Sequence, residues 1–345
     1  MKKFFFLAVA AIVTFAACTK NDIDPTSRGQ INFSAVTGLN TKAPLSGTVY
    51  NTDDPHFGIF CYALTSGKTW AANSSDGQVY MNNVEISYNS TDLIWEPSSV
   101  YYWPLSGSLT FIGYSPYGCA GTVTYDPATK ALTVTNFTVD ADPDDQEDLM
   151  WATTNPDLID NQSTYTSQTA TSTKTGVNIA FHHALSQVKF NVKKDAGLDD
   201  YTITVNSITF TAYSKGTLTV TNDSPAWSAQ ANQDAFVFNT EGSNVTAPNN
   251  ASNFAAFGKA NMPVPQSLAA SNQRFTITYS LSKGGVDLGS KSVTKDLYVN
   301  AEGLTAWAVN TIYNYNIVIG LNKIYFNPTI VDWTTGASQA INVPN

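Results

Sequence analysis

Short segments in which apolar and polar residues alternate recur along most of this 345-residue chain. The longest run, at 313–321, places Tyr, Tyr, Ile, Ile and Leu at every second position. Shorter runs at 201–205 and 275–281 have threonine and serine between the apolar residues. Because successive side chains of a β-strand point to opposite faces, this period of two predicts strands with one buried face. No long stretch has helical periodicity, and residues 251–256 form one short helix at most.

Three other segments support the same interpretation. Residues 57–64 are apolar on both faces, as expected for a strand that is covered on both sides. The apolar positions of 132–139 change parity, which predicts a β-bulge, and Lys283-Gly284-Gly285 predicts a hairpin turn. Strands with Gly, Pro, Asn and Asp between them predict an all-β fold built from β-sandwiches.

The length of the chain suggests two domains of roughly 150 residues each. Nine of the sixteen residues at 161–176 are Ser or Thr, and the apolar pattern restarts at Val177. We therefore predict an N-terminal β-sandwich domain at 18–175, which ends in a Ser/Thr-rich linker at 161–175. A C-terminal β-sandwich domain follows at 176–345.

Composition excludes several classes of function. The chain has 18 basic and 27 acidic residues, hence a formal net charge of −9, whereas nucleic-acid binding needs clustered Lys and Arg. Three cysteines and three histidines are too few for a zinc-finger type of metal cage. We therefore expect no nucleic-acid partner.

The N-terminus predicts export. Lys2 and Lys3 precede an apolar run at 4–17 that is too short to cross a bilayer as a helix and is typical of a signal peptide. The small residues before Cys18 resemble a bacterial lipobox, which implies a lipoprotein signal peptide at 1–17 and an acylated Cys18 in the outer-membrane lipid. An ordinary signal peptide with an incidental cysteine is the alternative. In an exported chain Cys61 and Cys119 can either pair or stay free.

Four segments carry a resemblance to a known family. They are 101–117, 146–152, 181–190 and 313–333, and they begin with Tyr-Tyr-Trp-Pro, Gln-Glu-Asp-Leu, Phe-His-His-Ala and Tyr-Asn-Tyr-Asn. Their order and spacing behind a lipobox resemble the fimbrillins of Bacteroidetes, the subunits of type V pili and their surface relatives. The resemblance implies two tandem transthyretin-like β-sandwich domains.

The resemblance also implies a mechanism of assembly. Such subunits are exported as lipoproteins, and a trypsin-like surface protease cuts near the N-terminus and removes the first strand. The vacated groove then accepts a strand from another subunit, in which the backbone of an exposed sheet edge pairs with the incoming strand. Because this contact is head-to-tail, it extends into a filament.

Two basic residues are candidates for the cleavage site. A cut at Arg28 would remove no convincing strand, whereas a cut at Lys42 would release the strand expected at 31–36. Geometry therefore favours Lys42, although an Arg-specific protease would favour Arg28. The candidate donor strand is the C-terminal tail, in which Ala340, Ile341 and Val343 can pair.

Other chemistry has weaker support in the sequence. His182 and His183 are adjacent, so on a strand they point to opposite faces and cannot easily chelate one ion; we interpret His183 as structural. Six carboxylates at 140–148 do not fit an EF-hand, because position six is Asp145 rather than Gly. A looser calcium site or a solvated acidic loop remain the alternatives there. The run at 113–118 is not a nucleophile elbow.

These observations predict a fimbrial structural or accessory subunit at the cell surface that assembles by strand exchange and serves adhesion. We expect no enzymatic activity and no cofactor. The alternative is a non-polymerising surface lipoprotein that binds a glycan or another host or bacterial ligand through exposed aromatic residues. Trp70, Trp95, Trp103 and Trp151 are candidates for such stacking, although aromatic residues in a sandwich usually lie in the core.

Overall fold

The computed structural model describes the chain at residues 29–36, 56–91, 94–153, 156–159, 165–166, 175–231, 237–239, 244–299, 303–321, 324–333 and 338–340. Nearly all regular structure in these ranges is β-strand, and the all-β prediction is confirmed. The described ranges contain one α-helical turn, α1 (Trp70–Asn73), followed by a 3-10 turn at Ser74–Asp76. No helix in these ranges is long and apolar enough to span a membrane.

Twenty-four strands are present in the described ranges. The first ten are β1 Phe33–Val36, β2 Phe57–Leu64, β3 Gln78–Asn89, β4 Ile94–Pro97, β5 Ser108–Ser115, β6 Thr122–Asp126, β7 Ala131–Thr138, β8 Met150–Thr153, β9 Tyr165–Thr166 and β10 Thr175–His183. The other fourteen are β11 Ser186–Lys194, β12 Tyr201–Thr211, β13 Lys215–Thr221, β14 Ser224–Ala231, β15 Val237–Asn239, β16 Val245–Thr246, β17 Ala255–Asn261, β18 Gln266–Ser267, β19 Arg274–Lys283, β20 Val286–Asp296, β21 Ala306–Trp307, β22 Thr311–Ile319, β23 Ile324–Asp332 and β24 Ser338–Ala340.

The first sheet has eight strands in the order β1-β4-β3-β2-β5-β8-β10-β9, and β1 also pairs with β10. Pairing on both sides of β1 closes the sheet on itself. Alternate residues of β2 are buried in two different cores, as expected for a strand that is apolar on both faces. Phe57, Ile59 and Cys61 belong to a smaller core together with β1, whereas Phe60 and Tyr62 belong to a larger core.

The larger core continues into the second half of the chain. There, one sheet has the order β17-β11-β22-β23-β24 and another has the order β15-β12-β19-β20. A further sheet, β14-β13-β7-β6, combines a hairpin from each half of the chain. Its residues Leu132, Val134 and Leu218 are buried in the same core as Phe190 and Tyr315 of the second half.

The boundary expected near residue 175 falls inside the first sheet. Strand β10 begins at Thr175 and pairs with β8, β9 and β1 of the first half. The next strand, β11, lies in a different sheet. The loss of apolar pattern at 161–175 marks a change of local sequence, but the strand that follows is needed to close the first sheet. We therefore propose that the division between the halves follows His183.

The predicted bulge and hairpin are present. Leu132, Val134, Phe137 and Val139 are all buried, and Asn136 has a positive φ of 59° where the register between β7 and β13 shifts. Strands β19 and β20 form the hairpin, and Gly284 and Gly285 occupy its turn with φ of 58° and 83°. The short helix considered at 251–256 is wrong, because β17 begins there at Ala255 and pairs with β11.

Candidate functional site

Strand β1 lies between β4 and β10. It runs parallel to β10, with Phe33 opposite Val177, and its contact with β4 is antiparallel, with Phe33 opposite Trp95. Beyond the strand, the amide of Ile31 donates to the carbonyl of Tyr101 at 2.8 Å. The amide of Val177 donates to the carbonyl of Asn32 at 2.7 Å. Backbone pairing on both sides thus holds a short segment that is far in sequence from its neighbours.

The side chain of Phe33 occupies the smaller core. It is fully buried, and its ring meets those of Phe57 and Phe111 edge to face at 6.1 and 5.5 Å between centroids. Phe57 in turn contacts Trp95 and Phe181 at 5.2 and 5.3 Å. Ile31 is buried as well. Strand β1 and the residues just before it therefore contribute two large apolar side chains to a core whose other walls come from the rest of the sheet.

The approach of β1 to β10 depends on Gly176. A Cβ on Gly176 would lie 2.8 Å from the carbonyl carbon and 2.9 Å from the nitrogen of Phe33. Contacts this short to backbone atoms cannot be relieved by a rotamer change. A residue with a side chain at this position would push β1 away from its groove.

Most of the predicted site residues lie outside the described residues. These are Cys18, Arg28, Lys42, Ile341 and Val343. Ala340 is described at the end of β24, where it pairs with Thr329 of β23 in the same chain. In sequence, all of β1 lies between Arg28 and Lys42. A cut at Lys42 would therefore place β1 on the released fragment, and a cut at Arg28 would leave it on the subunit.

His183 joins the two halves of the chain. Its Nδ1 lies 2.9 Å from Oδ2 of Asp148, and both side chains are buried. The imidazole stacks on the indole of Trp333, with centroids 3.9 Å apart and planes 8° from parallel. These contacts support the structural interpretation of His183. The sequence could not reveal its partners, because they lie 35 and 150 residues away.

The acidic segment 140–148 uses its carboxylates locally. Oδ1 of Asp140 accepts from the amide of Asp142, and Oδ1 of Asp142 accepts from that of Asp144, both at 2.9 Å. Asp144 also pairs with Lys259 of β17, and Glu147 accepts from the amide of Ala120 at 2.8 Å. Among the described residues, no group of three metal-ligating side chains is placed to hold an ion.

The remaining sequence candidates are buried. In the described part of the chain, Cys61 and Cys119 are free and buried thiols. Of the two alternatives predicted for them, the structure therefore has the unpaired one. Trp70, Trp95, Trp103 and Trp151 are exposed by 7% or less. They do not form the exposed aromatic array on which the glycan-binding alternative relied.

Comparison with known sequences places the chain in a family. Residues 41–333 match the sequence profile of the family described as fimbrillin-like, and this range covers most of the chain. The chain belongs to the fimbrillin-like family. The predicted resemblance is thereby confirmed. Fimbrillin-like proteins are structural proteins, which confirms the prediction that the chain is not an enzyme. No curated protein matches the sequence.

One solved structure shows the fold that this fimbrillin-like chain shares. A fimbrial protein from Bacteroides vulgatus has 20% identity and a TM-score of 0.62, over 88% of this chain and 99% of its own. A fimbrial protein from Bacteroides ovatus has 12% identity and a TM-score of 0.34, over 85% of this chain and 49% of its own. The first of these similarities supports the all-β architecture over nearly the whole chain.

Proposed function

We propose that this fimbrillin-like chain is a surface-exposed pilus subunit that assembles by protease-triggered strand exchange and serves adhesion or scaffolding. The single observation that carries the proposal is the position of β1. It is an N-terminal strand that fills a groove between β4 and β10 and precedes Lys42 in the sequence. The fimbrillin-like family and the fimbrial relative from Bacteroides vulgatus support the same role.

Removal of β1 would expose two unfavourable features to water, namely unpaired strand edges and an apolar groove. The facing edges of β4 and β10 would lose backbone partners, and unpaired edges readily pair with another strand. The space that Phe33 fills would open among Phe57, Phe111 and Trp95. Burial of one large apolar side chain contributes about 1.5–3 kcal/mol, so an incoming strand with an apolar residue there would be favoured.

The C-terminal tail is the proposed donor. In the described part of the tail, three residues of β24 pair with β23, namely Ser338, Gln339 and Ala340. We expect the hydrogen bonds of these three residues to cost less to break than the incoming tail gains by filling a full groove. Ile341 and Val343 are β-branched residues at alternate positions, so both can point into one apolar groove when the tail is extended.

Cleavage at Lys42 would also release the lipid anchor. The proposed acyl group is on Cys18, which lies before β1 in the sequence. A subunit cut after Lys42 would therefore leave both the outer-membrane lipid and its own first strand at the same time. The partners are thus the membrane lipid before cleavage, a trypsin-like protease at cleavage, and other pilin subunits after it.

Limited digestion tests this proposal. The mature protein is treated with trypsin, and the products are separated on an unboiled SDS gel and sequenced from the N-terminus. We expect SDS-resistant multimers with a new N-terminus at Ala43. The variant Lys42→Gln should stay monomeric, whereas Arg28→Gln should assemble like the wild type. Lys68→Gln is the matched control, because it removes an exposed lysine of the same half of the chain.

Two outcomes contradict parts of the proposal. A new N-terminus at Gly29 together with multimers would mean that Arg28 is the site and that β1 stays on the subunit. A stable monomer that has lost β1 would mean that the open groove takes no strand from another copy.

A further inference from the structure

The buried cluster of Asp148, His183 and Trp333 lies at the end of the groove strand. His183 is the last residue of β10, the strand that pairs with β1. Trp333 directly follows β23 and precedes β24 and the C-terminal tail in the sequence. The stack of the two rings therefore joins the end of the groove to the start of the tail within one chain.

Each residue of the cluster comes from a different segment that carries the family resemblance. Asp148 lies in 146–152, His183 in 181–190 and Trp333 in 313–333. The fold brings one residue of each segment into contact at a single buried place. The pairing of a strand in the groove uses none of these side chains, so their convergence points to another role at the joint between groove and tail.

The position of Trp333 is fixed through both its side chain and its backbone. The ring is 4% exposed and lies 3.9 Å from the imidazole of His183, with the planes 8° from parallel. The amide of Trp333 donates to the carbonyl of Asn310 at 3.2 Å, and the amide of Asn310 donates to the carbonyl of Leu185 at 2.9 Å. Trp333 is thus tied to the end of β10 and to the residues that follow it.

Asp148 holds the imidazole of His183 in place. The two side chains are 0% and 3% exposed, so water and salt screen this pair much less than a surface pair. His183 cannot turn away from Trp333 without leaving a buried carboxylate unpaired, which is strongly unfavourable. The surface on which Trp333 stacks is therefore itself rigid.

The extent of backbone pairing changes at Trp333. Before it, β23 pairs with β22 over nine residue pairs, from Asp332 opposite Thr311 to Ile324 opposite Ile319. After it, in the described part of the tail, β24 pairs with β23 over three residue pairs. Because the cost of detaching a strand grows with the number of paired residues, β24 should detach far more readily than β23.

We propose that Trp333 is the fixed root of the donor tail, that is, the residue at which the tail leaves the folded subunit. This inference rests on the proposed strand exchange. β24 leaves β23, while Trp333 stays stacked on His183 and β23 stays in its sheet. His183 and Asp148 are positioning residues, because they act on the tail through Trp333. The 12 residues after Trp333 then reach at most about 40 Å towards the next subunit.

A fixed root at this place connects successive joints of a filament. β10 of one subunit would hold the incoming strand along its edge and the root of the outgoing tail at its end. A pull along the filament would therefore pass from one joint to the next through β10, His183 and Trp333.

Two engineered disulfides distinguish a fixed root from a moving one. Thr311→Cys with Asp332→Cys joins β22 to the end of β23, and Thr329→Cys with Ala340→Cys joins β23 to β24. Facing residues of antiparallel strands have Cα atoms about 4.5–5.5 Å apart, which a disulfide can span. Both pairs are made in the mature chain with Cys18→Ser, because the two other cysteines are buried.

The two disulfides should affect assembly in opposite ways. After digestion, we expect the oxidised 311–332 protein to form the same SDS-resistant multimers as the wild type. The 329–340 protein should form them only after reduction. Multimers that the oxidised 311–332 protein loses and that reduction restores would overturn the fixed root and leave strand exchange intact. Absence of multimers from the wild type, or multimers from the oxidised 329–340 protein, would instead contradict the proposed function.

Chymotrypsin tests the anchor in the uncut monomer, where no strand exchange is needed. This protease cuts after aromatic residues, and a cut after Trp333 releases residues 334–345, which mass spectrometry detects. The wild type should be cut slowly there, because Trp333 is buried. His183→Ala removes both the stacking ring and the partner of Asp148, and it should be cut at least about tenfold faster. Asp148→Asn keeps an acceptor for the imidazole and should be cut more slowly than His183→Ala.

Ile203→Ala is the matched control for a general loss of stability. It removes a fully buried side chain from the same core, in a sheet that does not contain β23. Its cleavage after Trp333 should match that of the wild type. Equal cleavage there in His183→Ala and Ile203→Ala would overturn the role of His183. If His183→Ala fails to fold, the pair of disulfides decides.

Discussion

A Cβ on Gly176 would lie 2.8 Å from the carbonyl carbon of Phe33, so β10 has no room for a side chain where β1 crosses it. The glycine lets two parallel backbones approach at the point where the first sheet closes. Its neighbour Val177 pairs with Phe33, which fills the smaller core. The packing of β1 in its groove thus depends on the absence of a side chain at Gly176 and on the large side chain of Phe33.

Substitution of Gly176 should loosen β1 without unfolding the rest of the chain. In Gly176→Ala the new methyl group would displace the backbone of Phe33, and overpacking of this kind costs about 1–3 kcal/mol. We expect a lower urea midpoint and faster proteolysis within residues 29–36. Proteolysis followed by mass spectrometry measures the second effect.

Gly197→Ala provides the matched control for that experiment. Gly197 has a positive φ of 79° and open space around it, so alanine should destabilise the chain through backbone strain alone. Its β1 segment should be cut no faster than in the wild type. Equal cutting in both variants would show that β1 is released only by general destabilisation.

The contribution of Phe33 should depend on whether the chain has been cut. In the uncut protein, Phe33→Ala removes a fully buried ring that contacts Phe57 and Phe111, which should lower the free energy of unfolding by about 3–5 kcal/mol. After cleavage at Lys42 the mutated residue is gone, so the two proteins should be equally stable. Urea denaturation before and after digestion measures both values. A persistent difference after digestion would mean that β1 stays bound to its own subunit.

Stability should fall in weakly acidic solution because of His182. Burial lowers the pKa of this imidazole from its ordinary value of 6.5, and nearby His183 lowers it further, whereas Asp223 opposes the shift. Since the folded pKa lies below the unfolded one, the unfolded chain binds more protons between the two values. The wild type should therefore lose stability relative to His182→Gln as the pH falls below 6.5. Parallel urea midpoints of the two proteins over this range would contradict the prediction.

The two buried thiols, Cys61 of β2 and Cys119 of the β5–β6 loop, should resist alkylation in the folded protein. Burial raises the pKa of Cys119 to about 12, and burial raises that of Cys61 well above its ordinary value. The thiolate is the reactive form, so little of it exists near neutral pH. Iodoacetamide should modify the peptides that contain Cys61 and Cys119 only after denaturation, as measured by mass spectrometry. Rapid labelling of the native protein would place these residues at the surface.

The strands were predictable from sequence because their alternation is local. The parity change at 132–139 indicated a bulge, and Asn136 accommodates it with a left-handed backbone. The two glycines at 284 and 285 likewise indicated their hairpin. In each case the residues that determine the conformation are neighbours in the chain.

The arrangement of these strands was not predictable in the same way. The parallel pairing of β1 with β10 joins residues about 144 positions apart, and only Gly176 hints at a close backbone approach. The Ser/Thr-rich run at 161–175 predicted a domain boundary at residue 175. The strand that follows it, β10, nevertheless pairs with β1 and closes the first sheet.

A disulfide trap measures strand exchange most directly. One protein carries Asn178→Cys, on the groove strand opposite Ser34, and three others carry Ala340→Cys, Ile341→Cys or Val343→Cys in the tail. The groove variant is mixed with each tail variant, digested, oxidised and separated without reductant. We predict an intermolecular disulfide with at least one tail variant, only after digestion and not with Lys42→Gln in the groove protein. No crosslink with any tail variant, or the same crosslink without digestion, would contradict the account.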